Sequence, residues 1–464
     1  MTNILNTLRS VRERYSPILS RFFGGKLYPA AVALLVVIGH STKLEFYFNF
    51  PIMISAYLAL LFCDSIRAFL PTLLTLIYQI NYTHGFSDYY FTPPVFVILI
   101  VMVSVLALCF IFYFVRNIAP KISTRSPMVL PLLLLGVGLL CNGLFSGAWV
   151  IKNLFYAVLQ IFAYILLFYT FYYGLSDEDS GEMIEHLTFL AAMVSLVISG
   201  ELAVLYLTKD ALFADGGIVK EEVHLGWGMW NPIGFSLTVL IPLLMRGAMV
   251  GKHKNLYLIG AFITWGFAVL SMSRNALLFS TLFMAACVII GCFAGERRTL
   301  FRILLGIGIA AAVGVVVLFY DKLMPLVEKF FDDNGRYDLW RTAIENFLAS
   351  PIFGKGFYGF GQGNVFAAFL PWLAHNTVLE YLSATGIIGT AAYIYYRAST
   401  LVPVFRRISY DKLMLLLPIL VTLFMSFIDN YVFHIYTTFI YSLCLALIFK
   451  LYRDEQKESE TDTL

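Results

Sequence analysis

The sequence carries little charge. Only 13% of its 464 residues are Asp, Glu, Lys or Arg, whereas 60% are hydrophobic, and the mean hydropathy is +0.80. Water-soluble domains typically contain about 25% charged residues, so this composition excludes a soluble domain and indicates a polytopic membrane protein. The net charge of +3 is too small to indicate a nucleic-acid partner, and none is expected.

The sequence also lacks the cysteine patterns of disulfide scaffolds and zinc sites. Its six cysteines lie in apolar runs, without a CxxC pair or a neighbouring histidine cluster: Cys63, Cys109, Cys141, Cys287, Cys292 and Cys444. We therefore predict buried thiols without disulfides or a structural metal. A cleavable signal peptide is not expected, because the basic N-terminus leads into an apolar helix without an A-x-A-like site.

Long apolar runs are abundant. A membrane-spanning helix needs about 20 mostly apolar residues. Fourteen runs approach that length: 27–42, 46–63, 68–80, 94–115, 128–147, 153–175, 187–207, 232–245, 255–273, 276–293, 302–320, 376–396, 411–428 and 434–451. The runs at 68–80 and 232–245 are short enough to be re-entrant. We therefore predict an all-α, polytopic bundle of 12–14 transmembrane helices.

The distribution of Lys and Arg predicts the orientation, since loops facing the cytoplasm are enriched in both. With the N-terminus inside, 22 of these residues fall on the cytoplasmic side and 10 on the other. This bias places both termini in the cytoplasm and one large loop, residues 321–375, outside the cytoplasmic membrane. The acidic loop at 176–186, which falls inside without a basic residue, opposes the trend.

The apolar runs and the distribution of Lys and Arg together divide the chain into five predicted segments. Residues 1–26 form a basic cytoplasmic N-terminus, and 27–230 the N-terminal transmembrane helices. Residues 231–396 contain further transmembrane helices and the outer loop, and C-terminal transmembrane helices follow over 397–451. The tail, 452–464, is charged and without apolar periodicity, which predicts a disordered cytoplasmic end.

The outer loop contains one predicted amphipathic helix, GRYDLWRTAIENFLAS. Asp333 or Asn334 can cap its start, and Pro351 follows its end. Its apolar positions recur at helical spacing and predict a stripe that packs on the membrane bundle: Trp340, Ile344, Phe347 and Leu348.

Two arginines of this helix are candidates for substrate contact. Arg336 lies one turn before Trp340, on the face predicted to pack inward, which favours a functional role. Arg341 is a candidate substrate-binding residue, but it precedes Glu345 by one turn, so a surface ion pair also explains it well.

A third arginine lies between two apolar runs. In LSMSRNALLFS, Arg274 occupies the predicted outer turn of a helical hairpin. An ionisable residue at membrane depth is costly, which predicts a functional role. The alternative is a side chain that reaches the headgroups for solvation alone.

One histidine stands at the predicted outer mouth of a membrane helix, in WLAHNTVLEYL. Imidazole can take a proton from a hydroxyl near neutral pH, so His375 is a candidate general base. A capping or hydrogen-bonding role is the alternative. Asn376 and Glu380 share one helix face and are candidate substrate-binding residues, although Glu380 could instead orient His375, balance Arg274 or serve packing.

Other polar features are interpreted as structural. GKGFYGFGQG contains GxGxxG, but no strand precedes it, which predicts a flexible turn rather than a nucleotide site. Asp429 and His434 flank the last outer turn and are interpreted as structural. Asp332 and Asp333 are too isolated to predict a metal site.

The order of the motifs SRNALL, GRYDLWRTAIENFLASPIFGKGF and HNTVLEYLSATGIIG resembles the O-antigen ligase and O-antigen polymerase superfamily. The upstream NPIGFSLTVLIPLL, which begins at Asn231, is similar to the superfamily's pattern before the hairpin, so the resemblance implies that residues 231–396 are the ligase- or polymerase-like core. The resemblance implies a membrane glycosyltransferase of cell-envelope polysaccharide biosynthesis, acting on undecaprenyl diphosphate-linked glycans such as those of lipopolysaccharide. It further implies an active site on the outer face, an inverting reaction and no metal or other cofactor.

Residue by residue, the resemblance implies catalytic roles for Arg274, Arg336 and His375, with Asn231 as a further substrate-binding candidate. The arginines would bind the diphosphate leaving group, and the histidine would deprotonate or orient the acceptor hydroxyl. The expected partners are the lipid-linked donor, a glycan or lipid-core acceptor, and membrane lipids. The alternative function is a flippase or exporter of lipid-linked oligosaccharide; the clustering of charges at one face favours the enzyme.

Overall fold

The computed structural model describes residues 2–79, 92–147, 149–214, 217–330, 335–359, 374–433 and 435–461. Its helices in these ranges are α1 (Thr2–Phe23), α2 (Leu27–Thr42), α3 (Glu45–Phe62), α4 (Leu70–Thr75), α5 (Pro93–Asn117), α6 (Val129–Leu140), α7 (Ile151–Ile161), α8 (Leu167–Gly174), α9 (Ser180–Thr208), α10 (Trp230–Val250), α11 (Lys254–Leu270), α12 (Arg274–Phe293), α13 (Arg298–Phe330), α14 (Arg336–Ala349), α15 (Thr377–Arg406), α16 (Tyr410–Met425) and α17 (Ile435–Thr461). Two short antiparallel hairpins lie between α9 and α10: β1 (Phe213–Ala214) with β2 (Gly217–Ile218), and β3 (His224–Leu225) with β4 (Gly228–Met229).

The helices confirm the predicted all-α, polytopic class. Within the described ranges, seven helical segments are long and apolar enough to cross a membrane: Glu45–Phe62, Pro93–Lys121, Ile151–Gly174, Ser180–Thr208, Trp230–Val250, Arg274–Phe293 and Arg298–Leu318. An eighth span results if α1 and α2, which meet at 67°, are counted as one broken span. Each of the fourteen apolar runs corresponds to helical structure, although several helices are short or interrupted, and the count of 12–14 spans stays a prediction.

The chain divides into two compact units that alternate along the sequence. The first comprises Met1–Ser123 and Tyr169–Ser280, and the second comprises Thr124–Phe168 and Thr281–Leu464. Helix α12 begins in the first unit and continues in the second. The five-segment division predicted from the sequence stays a prediction.

The six cysteines are free thiols. Five are buried as predicted, and Cys141 is half-buried.

Helix α10 forms the centre of the first unit and packs against α9 and α11. Its sequence is apolar around its whole circumference, and 94% of its span is buried. Glycine allows close contact: a Cβ at Gly247 would lie 2.6 Å from side-chain atoms of Thr188 and Tyr257. Arg246, one of the 22 basic residues that the sequence assigns to the cytoplasmic side, is buried inside this helix.

The second unit is organised around a break in α15. At Gly386 the backbone leaves the helical conformation, with φ 62° and ψ −159°. A break frees backbone carbonyl and N–H groups, which are costly to leave unpaired away from water. The turn after α14, which we call the clamp segment (residues 351–358), supplies the partners.

Four backbone hydrogen bonds join the clamp segment to the broken helix. Lys355 N–H donates to the Ser383 carbonyl at 2.7 Å, and Gly356 N–H to that of Ala384 at 3.0 Å. In return, Ile387 N–H donates to the carbonyl of residue 351 at 2.9 Å, and residue 388 to that of residue 352 at 3.4 Å. The clamp segment therefore takes the place of the missing helical turn, and the prediction of a flexible turn is wrong for it.

Two glycines make this close approach possible. Gly354 and Gly356 have φ of 67° and 86°, in the left-handed region where other residues are strained. A Cβ at Gly354 would lie 2.4 Å from the Ala384 carbonyl carbon, and one at Gly356 would lie 2.2 Å from Nδ2 of Asn153. Asn153 also fixes the end of the clamp segment, because its Oδ1 accepts from Tyr358 N–H at 3.1 Å. The GxGxxG pattern thus serves packing.

The helix predicted in the outer loop is present as α14, but its predicted apolar stripe is wrong. Ile344 and Leu348 are 47% and 69% exposed, whereas Ala343 and Asn346 are buried, with Trp340 and Phe347 half-buried. Helix α14 packs on α15 through the small and polar face, because small side chains allow the two backbones to approach. The predicted caps Asp333 and Asn334 lie outside the described residues, as does His434.

The disorder predicted for the C-terminal tail is wrong for residues 452–461, which continue α17. Lys412 of α16, fully buried, contacts Glu455 at 2.6 Å, and Lys450 contacts Asp454 at 2.9 Å. Acidic residues of the tail therefore pair with buried lysines, which stabilises the helical extension.

We predict that Gly356→Ala destabilises the protein by at least about 2 kcal/mol, since the substitution combines an unfavourable φ with a clash against Asn153. Thermal unfolding of the purified protein in detergent measures the effect. Gly314→Ala is the control, because a Cβ at Gly314, inside α13, meets no atom within 4 Å. Equal stability of the two variants would contradict the role of the clamp segment.

Candidate functional site

A histidine and an aspartate meet where α15 begins. His375 Nδ1 lies 2.8 Å from Oδ1 of Asp429. The His375 side chain is 47% exposed, whereas that of Asp429 is 9% exposed. An ionised carboxylate can only accept hydrogen bonds, so the neutral imidazole carries its proton on Nδ1, and Nε2 keeps a free lone pair. This geometry suits a general base whose Nε2 reaches solvent while the Asp429 carboxylate orients the ring through Nδ1.

The backbone around His375 is held on both sides. His375 has a φ of 52°, a strained conformation for a residue other than glycine. Before it, Ala374 N–H donates to Oε2 of the fully buried Glu380 at 2.7 Å. After it, Thr377 N–H donates to the Ser426 carbonyl at 2.9 Å. The neighbouring contacts therefore fix the direction of the imidazole.

Asn376 caps α15. Its Oδ1 accepts from the N–H groups of Val378 and Leu379 at 3.0 and 3.1 Å, and its Nδ2 donates to the Phe427 carbonyl at 2.9 Å. These bonds use both ends of the amide, so the structure favours a positioning role over the predicted substrate contact. Glu380 likewise binds the backbone before His375, and Asp429 orients the imidazole in its place.

Arg336 is the first residue of α14 and is half-buried. Among the residues that the structure describes, none forms a hydrogen bond or an ion pair with the Arg336 guanidinium. Gly335, with a φ of 77°, precedes it and starts the helix.

Arg341, one turn further along α14, has a different environment. Its Nε lies 3.0 Å from Oε1 of Glu345, and the two side chains are 81% and 61% exposed. The structure therefore favours the surface ion pair over substrate binding for Arg341.

Arg274 belongs to the first unit, where it is the half-buried first residue of α12. The turn before it is held by Ser273, whose hydroxyl donates to Oδ1 of Asn231 at 2.8 Å and accepts from Ala276 N–H at 3.3 Å. Asn231, predicted to bind substrate, thus ties the start of α10 to the turn that presents Arg274.

Arg274 and Arg336 both occupy the first position of a helix. The N-terminus of a helix carries a partial positive charge, so a cation there is disfavoured, by about 0.3–1 kcal/mol at exposed sites. An anion bound beside such a position would gain from both the guanidinium and the partial positive charge of the helix N-terminus. The placement therefore suits anion binding better than helix stability.

A separate charged group lies in the segment between α9 and α10. Lys209 Nζ contacts Oε2 of Glu222 at 2.6 Å, and this hydrogen bond and the lysine charge lower the pKa of Glu222. Burial lowers the pKa of His224, and Lys209 lowers it further. The buried Glu201 of α9 accepts from Nε1 of Trp227 at 2.7 Å.

These features define a class: a multi-pass helical membrane protein with a half-exposed, carboxylate-oriented histidine. Residues 259–394, less than a third of the chain, match the Wzy_C family model, described as O-antigen ligase. The match includes Arg274, Arg336 and His375 and supports the superfamily assignment that the motif resemblance predicts. No curated protein matches the chain.

The sequence interpretation missed the part played by Asp429. It placed this aspartate at an outer turn, on the same side as His375, but treated it as structural. The two residues are 54 positions apart, so no local pattern joins them. The predicted topology placed both residues on the outer side of the membrane, and this was the sequence-derived observation that could have connected them.

We predict that Asn376→Ala lowers the free energy of unfolding by about 1 kcal/mol, the usual cost of losing a helix N-cap. Asn376→Asp retains the accepting oxygen and should keep most of the stability. Thermal unfolding of both variants measures the difference. An alanine variant as stable as the unsubstituted protein would show that the cap bonds contribute nothing.

Proposed function

We propose that the protein is a glycosyltransferase that moves a glycan from an undecaprenyl diphosphate donor to a hydroxyl acceptor at the outer face of the cytoplasmic membrane. The observation that carries the proposal is the His375–Asp429 pair, whose histidine lies within the segment that matches the O-antigen ligase model. The excess of Lys and Arg on the opposite side supports the outer location.

His375 is the proposed general base. Its Nε2 accepts the proton of the acceptor hydroxyl, while the Asp429 carboxylate stabilises the imidazolium that forms. The acceptor oxygen then bonds to the anomeric carbon, the bond from that carbon to the phosphate oxygen breaks, and the electron pair leaves with the diphosphate. A single displacement of this kind inverts the anomeric configuration.

Arg336 and Arg274 are the proposed ligands of the diphosphate. Negative charge on the leaving group grows as the glycosidic bond breaks, and a guanidinium binds phosphate oxygens through two parallel hydrogen bonds. The helix N-termini at both positions add to this attraction. Because the charge is greater in the transition state than in the bound donor, such contacts accelerate the reaction.

The proposed site is compatible with two activities, which differ in the acceptor that receives the glycan. Transfer to a second lipid-linked glycan would make the protein a polymerase, and transfer to a lipid core would make it a ligase. The chemistry at His375 and at the diphosphate is the same in both. The flippase alternative is less well supported, because the family match concerns ligases and transport needs no oriented general base.

We predict that Arg274→Ala, Arg336→Ala and His375→Ala each reduce glycan transfer in cells at least about 100-fold, since each removes a group that acts in the transition state. Electrophoresis of the surface glycan measures the product, and immunoblotting measures the amount of protein. Arg341→Ala is the matched control on α14 and should retain activity, because that arginine already pairs with Glu345. Normal product in all three variants would exclude the mechanism.

Asp429→Asn tests the positioning of His375. We predict that kcat falls at least about 100-fold, because the amide can hold the imidazole in the wrong tautomer, while KM for the donor changes less than about threefold. In a His375→Ala background, Asp429→Asn should add little further loss, since the two residues act together. Losses that multiply in the double variant would separate Asp429 from the histidine.

A further inference from the structure

A cavity in the first unit lies where three segments meet: the end of α1, the turn between α3 and α4, and the turn between α8 and α9. Its volume is about 280 Å³, several times the roughly 30 Å³ of one water molecule. The distribution of Lys and Arg assigns all three segments to the cytoplasmic side. The cavity is therefore predicted to open at the cytoplasmic surface of the membrane.

The acidic loop that opposes the positive-inside trend forms one wall of this cavity. Three ion pairs join the loop to the neighbouring segments: Arg67 with Glu178 at 3.3 Å, Lys121 with Asp177 at 3.3 Å, and Lys26 with Glu185 at 3.8 Å. Among the described residues, Glu178 is the one carboxylate that lines the cavity, and Arg67 already binds it.

The cavity wall carries two arginines against this one carboxylate. Nη1 of Arg67 donates to Oε2 of Glu178 at 3.3 Å, but Nε of Arg67 is buried and makes no hydrogen bond to a described residue. A second carboxylate, on the exposed Glu182, lies 3.9 Å from Arg67. Arg21 forms neither a hydrogen bond nor an ion pair with any described residue. The wall therefore retains guanidinium donors without a partner, and these match the oxygens of a phosphate group.

Helix α1, which supplies Arg21, has an exposed apolar face. Tyr15, Ile18 and Phe22 recur at i, i+3 and i+7 and are 44%, 65% and 58% exposed. Arg14 and Arg21, seven residues apart, lie beside this face. The helix also bends by 67° from α2, the first predicted membrane helix. An apolar face bordered by arginines, on a helix turned away from the next span, is typical of a helix that lies in the membrane interface.

We propose that the cavity binds the phosphate of an anionic phospholipid such as phosphatidylglycerol from the cytoplasmic leaflet, with the acyl chains beside the apolar face of α1. A phospholipid combines an anionic group and long apolar chains in one molecule, as the cavity and the neighbouring helix face require. Free phosphate matches the arginines alone and leaves the apolar face uncovered. The bound lipid holds α1 against α3, on which it packs. The proposal does not depend on the glycosyltransferase reaction, which is assigned to the opposite face.

Thermal unfolding of the purified full-length protein in dodecyl maltoside tests the site. Phosphatidylglycerol should raise the melting temperature to a plateau, at concentrations where phosphatidylcholine with the same acyl chains has little effect. Arg21→Gln should raise the half-saturating concentration of phosphatidylglycerol about tenfold, because a charge-assisted contact to phosphate is lost. Arg14→Gln is the matched control, since it removes the same charge from an exposed position of α1 that does not line the cavity, and it should respond as the unsubstituted protein does.

Equal stabilisation by the two lipids, or the same response in Arg21→Gln as in Arg14→Gln, would overturn the proposal. Stabilisation by inorganic phosphate at the same concentration would assign the cavity to a free anion and would also overturn it. Native mass spectrometry gives a second readout. The unsubstituted protein and Arg14→Gln should retain one phosphatidylglycerol that Arg21→Gln loses, and equal retention by the two variants would contradict the site.

Discussion

The structure of the second unit depends on the free-energy cost of leaving backbone N–H and carbonyl groups without hydrogen bonds away from water. Helix α15 breaks at Gly386, and such a break persists only where other groups replace the lost helical hydrogen bonds. The clamp segment does so through four backbone bonds. Because the clamp segment follows α14 directly, the same contacts fix α14, with Arg336, relative to the start of α15. The contacts that compensate for the break in α15 therefore also fix the position of Arg336 relative to the start of this helix.

Two buried carboxylates then perform different tasks at the start of α15. Glu380 accepts from the backbone before His375, and Asp429 accepts from the imidazole itself. The first fixes the path of the chain, and the second fixes the tautomer of the ring. Orientation by such a surrounding shell lets one half-exposed side chain serve as a base. The same unit buries Arg397 among the rings of Tyr164, Tyr393, Tyr396 and Tyr441, and no carboxylate of the described residues pairs with it.

Local patterns were sufficient to predict much of this structure. Hydropathy located the helices, and residue spacing identified α14 and the Arg341–Glu345 pair. The stripe of α14 was wrong because Ile344 and Leu348 were assigned to the bundle, whereas membrane proteins often pack through small residues such as Ala343. The clamp segment, the Asp429 partner and the environment of Arg397 depend on residues far apart in sequence, which periodicity does not report.

The most direct test of the central claim is transfer by the purified protein in liposomes. An undecaprenyl diphosphate-linked glycan and an acceptor glycan would be supplied, and both the lengthened or ligated product and free undecaprenyl diphosphate would be quantified. The account predicts equimolar formation of the two with the unsubstituted protein and almost none with His375→Ala. Donor that crosses the bilayer without chemical change, or equal turnover by the variant, would contradict it.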